Sequence, residues 1–157
     1  MAPLTWSKSQ HVKATPDRVY EWMTDFQEDD HGRPAFIKGS GATKTYTKKP
    51  SKRTIVSREG NKVKIKDEWG GRTFEMDLEL MALDRTVKMT GPYGYEAVWK
   101  AVPDEGGTKV EAAISLNPKG FFRFIMGFFK KRFFRELEQD FQGHIADMEN
   151  SFSESPA

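Results

Sequence analysis

The chain reads as an α+β protein: an antiparallel sheet of about six to seven strands, one or two short helices after the first strand, and one long C-terminal helix that covers the sheet. Three observations predict this. Between residues 52 and 116, short runs alternate apolar with polar side chains and are separated by turn-forming residues. Residues 121–152 carry nine of the twelve phenylalanines, most of them at helical spacing. Ahead of the sheet, after one weakly alternating run, stands a helix start, Thr15-Pro16-Asp17.

Taken in order, residues 4–12 are expected to form the first strand. Thr15 is then placed to cap a helix, and Pro16 to open it, where its missing N–H costs nothing. Val19, Tyr20, Trp22, Met23 and Phe26 follow at helical spacing, which predicts a short helix over 16–26. Residues 27–41 read as loop with room for one helical turn. Strands are expected over 52–58, 62–69, 72–83, 86–90, 95–102 and 109–116, with 44–47 a candidate extension of the first. The separators are turn formers: Glu59-Gly60-Asn61, Gly70-Gly71, Asp84, Gly91-Pro92-Tyr93-Gly94 and Asp104-Glu105-Gly106-Gly107. Links this short join antiparallel neighbours, because a parallel crossover needs about a dozen residues.

The strand faces are legible. Val63, Ile65, Asp67 and Trp69 share one side of their strand against Lys62, Lys64, Lys66 and Glu68; Phe74, Met76, Leu78 and Leu80 oppose Glu75, Asp77 and Glu79. One face is therefore apolar and the other solvated. At 100° per residue, Phe122, Met126, Phe129, Phe133, Leu137, Phe141, Ile145, Met148 and Phe152 make one helical stripe fit to cover the apolar face. A second set, Phe121, Phe124, Ile125 and Phe128, lies on the opposite side and gives way to Arg132, Arg135, Gln139 and Gln142. The first two turns are apolar nearly all round and need a second surface to touch. A straight helix over residues 121–152 would be ~48 Å long, against a diameter of roughly 40 Å for a compact domain of this size. Either the helix kinks, with Gly127 the expected place, or one end projects.

Composition narrows the function classes. With 157 residues, a single domain over 1–157 is expected. The absence of cysteine excludes disulfides, thiolate zinc sites and thiol nucleophiles. No apolar run resembles a secretory signal or reaches the ~18–20 residues of a membrane span, so a cytoplasmic protein is expected. The net charge of +2 conceals a block at residues 38–66, where ten Lys/Arg stand against Glu59 alone. Such a block suits nucleic acid, anionic lipid or an acidic partner, or a lysine-rich strand face that repels neighbouring sheets. Single-strand binders interleave aromatics with bases. Here Tyr46 is the block's one aromatic and the lysines alternate with apolar residues, so no nucleic-acid partner is expected.

Candidate chemistry is sparse. Asp67 sits in the inward phase between Ile65 and Trp69, where a carboxylate is costly unless paired or protonated. It is a candidate general base or ligand-orienting group, or a strand-end residue that reaches water or pairs with Arg72. Asp25, Glu28, Asp29, Asp30 and His31 form an acidic knot, but its spacing matches no calcium or zinc pattern, so no metal is expected. His144 lies at the edge of the helix stripe, and His11 lies in the first strand with no partner assignable from spacing. Neither Gly70-Gly71 nor Gly106-Gly107 makes a phosphate loop, and no nucleophile motif is present.

A strand leading into HVKATPDRVYEWMTDF, a six-strand meander with a GGTKVE turn before its last strand, and a Phe/Arg-rich terminal helix together resemble the START-like or SRPBCC superfamily. That superfamily includes polyketide cyclase/dehydrase-like proteins, birch-type pollen allergens and lipid-transfer domains. The resemblance spans essentially the whole chain and implies a helix-grip fold, in which a curved sheet wraps the terminal helix around a hydrophobic cavity. The implied ligand-binding positions are Ile65, Asp67, Trp69, Phe74, Met76, Leu78 and Trp99 on the strands, and Phe129, Phe133, Leu137 and Phe141 on the helix. One departure stands out: many relatives carry a Trp-Pro segment where this chain reads DDHGRPAF at residues 29–36. The implied function is binding or transport of a hydrophobic small molecule such as a lipid, polyketide, quinone or sterol, without a cofactor. One alternative is a cyclase or dehydratase-type enzyme in which Asp67, with Tyr93, Tyr95 or Trp99, moves a proton. Another is a module that recruits a membrane or partner through Phe121, Phe124, Phe128, Lys130 and Lys131. Monomer and homodimer both remain open at this point.

Overall fold

The computed structural model describes residues 3–24, 36–40, 43–46, 52–69 and 72–154. The order is β1 (Leu4–Val12), α1 (Pro16–Thr24), β2 (Phe36–Ser40), β3 (Thr43–Tyr46), β4 (Lys52–Glu59), β5 (Lys62–Trp69), β6 (Arg72–Met81), β7 (Thr86–Thr90), β8 (Glu96–Asp104), β9 (Gly107–Leu116), α2 (Phe121–Phe128) and α3 (Lys130–Glu154). A 3-10 turn, Pro92–Gly94, stands between β7 and β8. Seven strands form one curved antiparallel sheet in the order β1-β9-β8-β7-β6-β5-β4, so the meander is closed by β1 lying beside β9.

The turn chemistry acts as its residues require. Glu59 pairs with Lys62 across a two-residue turn in which Gly60 takes φ +62, the first-position left-handed conformation that suits a tight hairpin. Thr15 caps α1: its Oγ1 accepts from Arg18 N–H at 3.3 Å and its carbonyl from Val19 N–H at 3.0 Å. Val19 and Met23 are the buried face of that helix, which lies against β7, β8 and β9.

Four expectations change. The end of the segment read as loop forms β2, and β3, over residues expected to extend the next strand, pairs with it instead as a two-stranded ribbon outside the main sheet, with β2 against α3. Gly39 and the missing alternation hide it, since its stability comes from that tertiary contact rather than from strand propensity. Strand β6 ends at Met81 rather than at 83. Residues 82–85 turn instead, with Arg85 at φ 46 and Leu83 99% exposed, so alternation overran the strand.

The single long helix is two helices. The break falls at Phe129, with φ −102 and ψ 13, where its N–H bonds to Met126 O at 3.2 Å in a tightened turn. It does not fall at Gly127, where a Cβ would meet nothing within 4 Å. The cause is anchoring: Leu137, Phe141, Ile145 and Met148 are held by the sheet at 8% exposure or less, and the residues before Phe133 are not so held.

The basic block is also not a face kept apart by repulsion alone. Register sets Lys62 opposite Glu79, Lys64 opposite Asp77 and Lys66 opposite Glu75, so the outer lysines of β5 meet an acidic row on β6. The sheet's edge strands are β1 and, beside β5, β4. Strand β4 carries a bulge at Val56, between Ile55 and Ser57, which interrupts the ladder available to another sheet.

Candidate ligand site

The layer between the inward face of the sheet and α3 is packed tightly at one end and less tightly at the other. At the tight end Val12, Val19, Val87, Ala101, Val110, Ile145 and Met148 are all at most 4% exposed. Polar ties lock this end. Arg85 Nε donates to Asp17 at 2.7 Å, Arg18 donates to Phe152 O at 3.4 Å with its guanidinium 4.9 Å from the Phe152 ring centroid, and the buried Thr108 hydroxyl donates to Ala14 O at 2.6 Å. Helix α1 covers this end, its buried Val19 and Met23 facing β8, with β9 and β7 beside it.

Aromatic rings cross the middle. Trp99 stacks on Phe141 with centroids 5.5 Å apart, Trp6 meets the edge of Phe141 at 5.9 Å, and His144 sits edge-on to Trp99 at 5.6 Å and to Trp22 at 6.3 Å. Below this row Ile65 and Leu78 belong to the same packed cluster as Phe141. Beside it, Lys8 on the inward side of β1 pairs with Glu138 of α3, a polar contact at the helix–sheet boundary.

The opposite end is looser. Met76 on β6, Met89 on β7, Tyr95 ahead of β8 and Phe133 of α3 pack against the core yet remain only half-buried, as does Phe74, which shares the face of Met76. The backbone makes room here. A side chain at Gly91 would press on Met76 Cγ at 3.2 Å and Tyr95 Cδ1 at 3.6 Å, so its absence lets those two side chains converge. Tyr93 in the 3-10 turn holds a left-handed φ of 61 while 53% exposed, a conformation bulky side chains rarely adopt. The turn is fixed by Asn117 N–H donating to Tyr93 O at 3.1 Å and by Gly94, at φ +68, lying against Asn117. Thr73, Phe74, Glu75, Pro92 and Tyr93 line an open surface groove of about 620 Å³, to which Thr73 and Glu75 contribute from the solvated face of β6.

The expected site residues therefore divide. Phe74, Met76 and Phe133 are half-buried, Met76 packing on the cluster of Ile65, Leu78 and Phe141 and Phe133 on that of Ala97, Ile114 and Leu137. Ile65, Leu78, Leu137 and Phe141 are core, with Trp99 stacked among them. Phe129 stands at the helix break, 51% exposed. The backbone of Asp67 is registered opposite Phe74, and that of Trp69 opposite Arg72, but the side chains of Asp67 and Trp69 lie outside the described residues. So do the acidic knot at residues 25–31 and the segment 29–35. Sequence reading passed over Trp6, Met89 and the Lys8–Glu138 pair. Lys8 carried a signal, being a charge in the inward phase of an alternating strand.

Elsewhere the polar chemistry is superficial. His11 Nδ1 lies 3.0 Å from Asp104 Oδ2 at the tight end, and that hydrogen bond, with a second from Glu105 N–H, holds the Asp104 carboxyl below its usual range. Burial pushes the Tyr20 phenol up. Among the described residues no group of three or more His, Asp or Glu side chains is arranged to hold a metal ion, and no helix is long and apolar enough to cross a membrane.

No protein-family model matches the chain, and no curated protein matches it in sequence. Solved structures do match. The di-domain ARO/CYC StfQ from the steffimycin biosynthetic pathway superposes with a TM-score of 0.71 at 13% identity, over 97% of this chain and 52% of that one. Ara h 8.0201 superposes at 0.59 and 14% identity, over 98% and 100% of the two chains. A START superfamily protein from Mycobacterium smegmatis gives 0.55 and 14%, over 94% and 99%. Likeness over nearly the full chain at such low identity is likeness of fold, and the fold is the helix-grip arrangement of START-like, SRPBCC-type proteins.

Proposed function

We propose that this chain binds a hydrophobic small molecule between its sheet and α3, entering by the end lined by Phe74, Met76, Met89, Tyr95 and Phe133. The observation that carries the reading is the contrast between the two ends. Apolar side chains that are only half-buried around a concave space leave surface a ligand would remove from water, worth about 25 cal/mol per Å². Cover by α1 at the other end supports a single entrance. Mostly apolar walls with a few polar groups, here the Tyr95 hydroxyl and the Lys8–Glu138 pair, are what small-molecule sites use to hold and orient an occupant. The fold shared with a START superfamily protein adds to the case.

The proposal is tested by native mass spectrometry of the purified chain. An apolar molecule released on denaturation is expected. A bare protein mass, together with no uptake of a fluorescent fatty acid or polycyclic aromatic probe, would refute the reading.

A cyclase-type enzyme on the same cavity has one observation in its favour, the superposition on an ARO/CYC protein. Asp67, on the inward phase of β5 opposite Phe74, is the group it would need. Under that reading Asp67→Asn abolishes turnover of a polyketide-like substrate while binding persists. Loss of both together would count against it.

A further inference from the structure

Helix α2 presents aromatic surface to water. Phe121, Phe124 and Phe128 are 76%, 65% and 75% exposed, and Phe129 beside them is 51% exposed. Their rings contact one another: Phe121 stacks on Phe124 with centroids 6.4 Å apart, and Phe124 meets Phe128 edge-on at 5.2 Å. They form one continuous patch on a projecting element. The sheet explains the stripe of α3 but gives these rings nothing to bury against.

The charge around the patch is one-sided. From residue 117 to residue 135 the chain carries six Lys or Arg and no acid, the first acid being Glu136. Lys119 precedes the patch, and Lys130, Lys131 and Arg132 follow it, all exposed. Glu136 answers Arg132 at 3.4 Å and Lys130 Nζ lies 5.7 Å from the Phe134 ring centroid, while Lys119, Lys130 and Lys131 are all exposed.

We propose that α2 docks on an anionic lipid bilayer, with the phenylalanines in the acyl boundary and the lysines on the head groups. Apolar rings rimmed by cations fit that surface on both counts, and each cation near an anionic membrane strengthens binding roughly fivefold. A second copy of this chain fits worse, because an isologous contact through α2 would set six cations against six. A polynucleotide would use the lysines. The rings, however, already pack against one another rather than standing splayed to take bases.

Position gives the docking a consequence. Phe133 and Phe134, one turn beyond α2, pack with Ala97, Ile114 and Leu137 at the looser end of the helix–sheet layer. A bilayer held by α2 therefore lies beside the entrance, so an apolar ligand passes between lipid and protein with little exposure to water. This last step rests on the ligand-binding reading; the docking does not.

The experiment is cosedimentation of the full chain with vesicles of phosphatidylcholine alone or mixed with phosphatidylserine. Retention on the mixed vesicles, falling as salt rises, is expected, with little on the neutral ones. Phe124→Ser/Phe128→Ser should cut the bound fraction by roughly tenfold or more, with unchanged far-UV circular dichroism and urea midpoint because the rings are exposed. Lys130→Glu/Lys131→Glu should remove the preference for phosphatidylserine. The proposal is overturned if the unaltered chain stays in the supernatant with both vesicles, or if the phenylalanine variant sediments as well as the parent. It is equally overturned if those variants abolish only a dimer in sedimentation velocity, or only retention of an oligonucleotide. Native mass spectrometry of the Phe124→Ser/Phe128→Ser protein separates the two readings: a ligand still carried with vesicle binding lost leaves both standing, and docking without any ligand leaves only the docking.

Discussion

Gly107 begins β9 where that strand passes closest to the end of β1. A Cβ there would overlap Val12 O and come within 3.2 Å of Lys13 Cα, and backbone cannot swing aside as a long side chain can. Gly107→Ala should therefore lower stability by about 1–3 kcal/mol in urea unfolding, as forced overpacking does. The neighbouring Thr108 is fully buried, and its hydroxyl satisfies Ala14 O. Thr108→Val should cost about 1–3 kcal/mol by stranding that carbonyl. The Gly-Gly turn was plain in the sequence. Which glycine is irreplaceable was not, because the demand on Gly107 comes from a strand nearly a hundred residues earlier. At the same end, His11 and the Glu105 N–H hold the Asp104 carboxyl below its usual range. A depressed carboxylate adds stability above its unfolded value and loses it as pH falls through the folded one. Replacing His11 by Ala should raise the Asp104 midpoint toward the ordinary carboxylate value in an NMR titration; a midpoint that stays put would refute the pairing.

The two-helix tail shows what periodicity can and cannot reveal about an element. Spacing alone identified the buried stripe from Leu137 to Met148, since burial on one face is what a 3.6-residue period encodes. The break was assigned to the wrong residue, because glycine is read as a hinge when its real requirement depends on contacts the sequence does not display. Gly127 is exposed inside α2 with open space around its missing side chain. Gly127→Ala should then stabilise the protein by about 0.5–1 kcal/mol through backbone entropy, seen as a raised melting temperature; a lowered one would restore Gly127 as the hinge. The same limit hid β2 and β3. Strands β4 to β9 announce themselves by alternation between turns, whereas the sequence of the ribbon shows no such alternation, and β2 packs against α3. It also hid the meaning of the basic block: Lys62, Lys64 and Lys66 look like a patch until register lays Glu79, Asp77 and Glu75 beside them.

Across the whole molecule, which side chains face inward was legible, but how tightly each end of the helix–sheet layer packs was not. Inward phase is a local property of each strand. Packing at each end depends on which helix lies there: α1 covers one end through Val19 and Met23, while the phenylalanines of α2 stay exposed. This division makes a crossed prediction about two methionines on the same inner surface. Met148 is fully buried among Val12, Val19 and Ile145, so Met148→Ala should open a cavity and cost about 2–5 kcal/mol in urea unfolding. Met76 is half-buried at the looser end, so Met76→Ala removes less apolar area from contact and should cost about half as much. Ligand affinity should show the reverse order. An apolar probe entering between Met76, Tyr95 and Phe133 loses a wall in Met76→Ala, and its dissociation constant should rise roughly tenfold for the lost contact, whereas Met148→Ala leaves the site surface intact once the protein is folded. Affinity that tracks stability in both variants would mean the two ends are one undivided core, and the entrance would have to lie elsewhere.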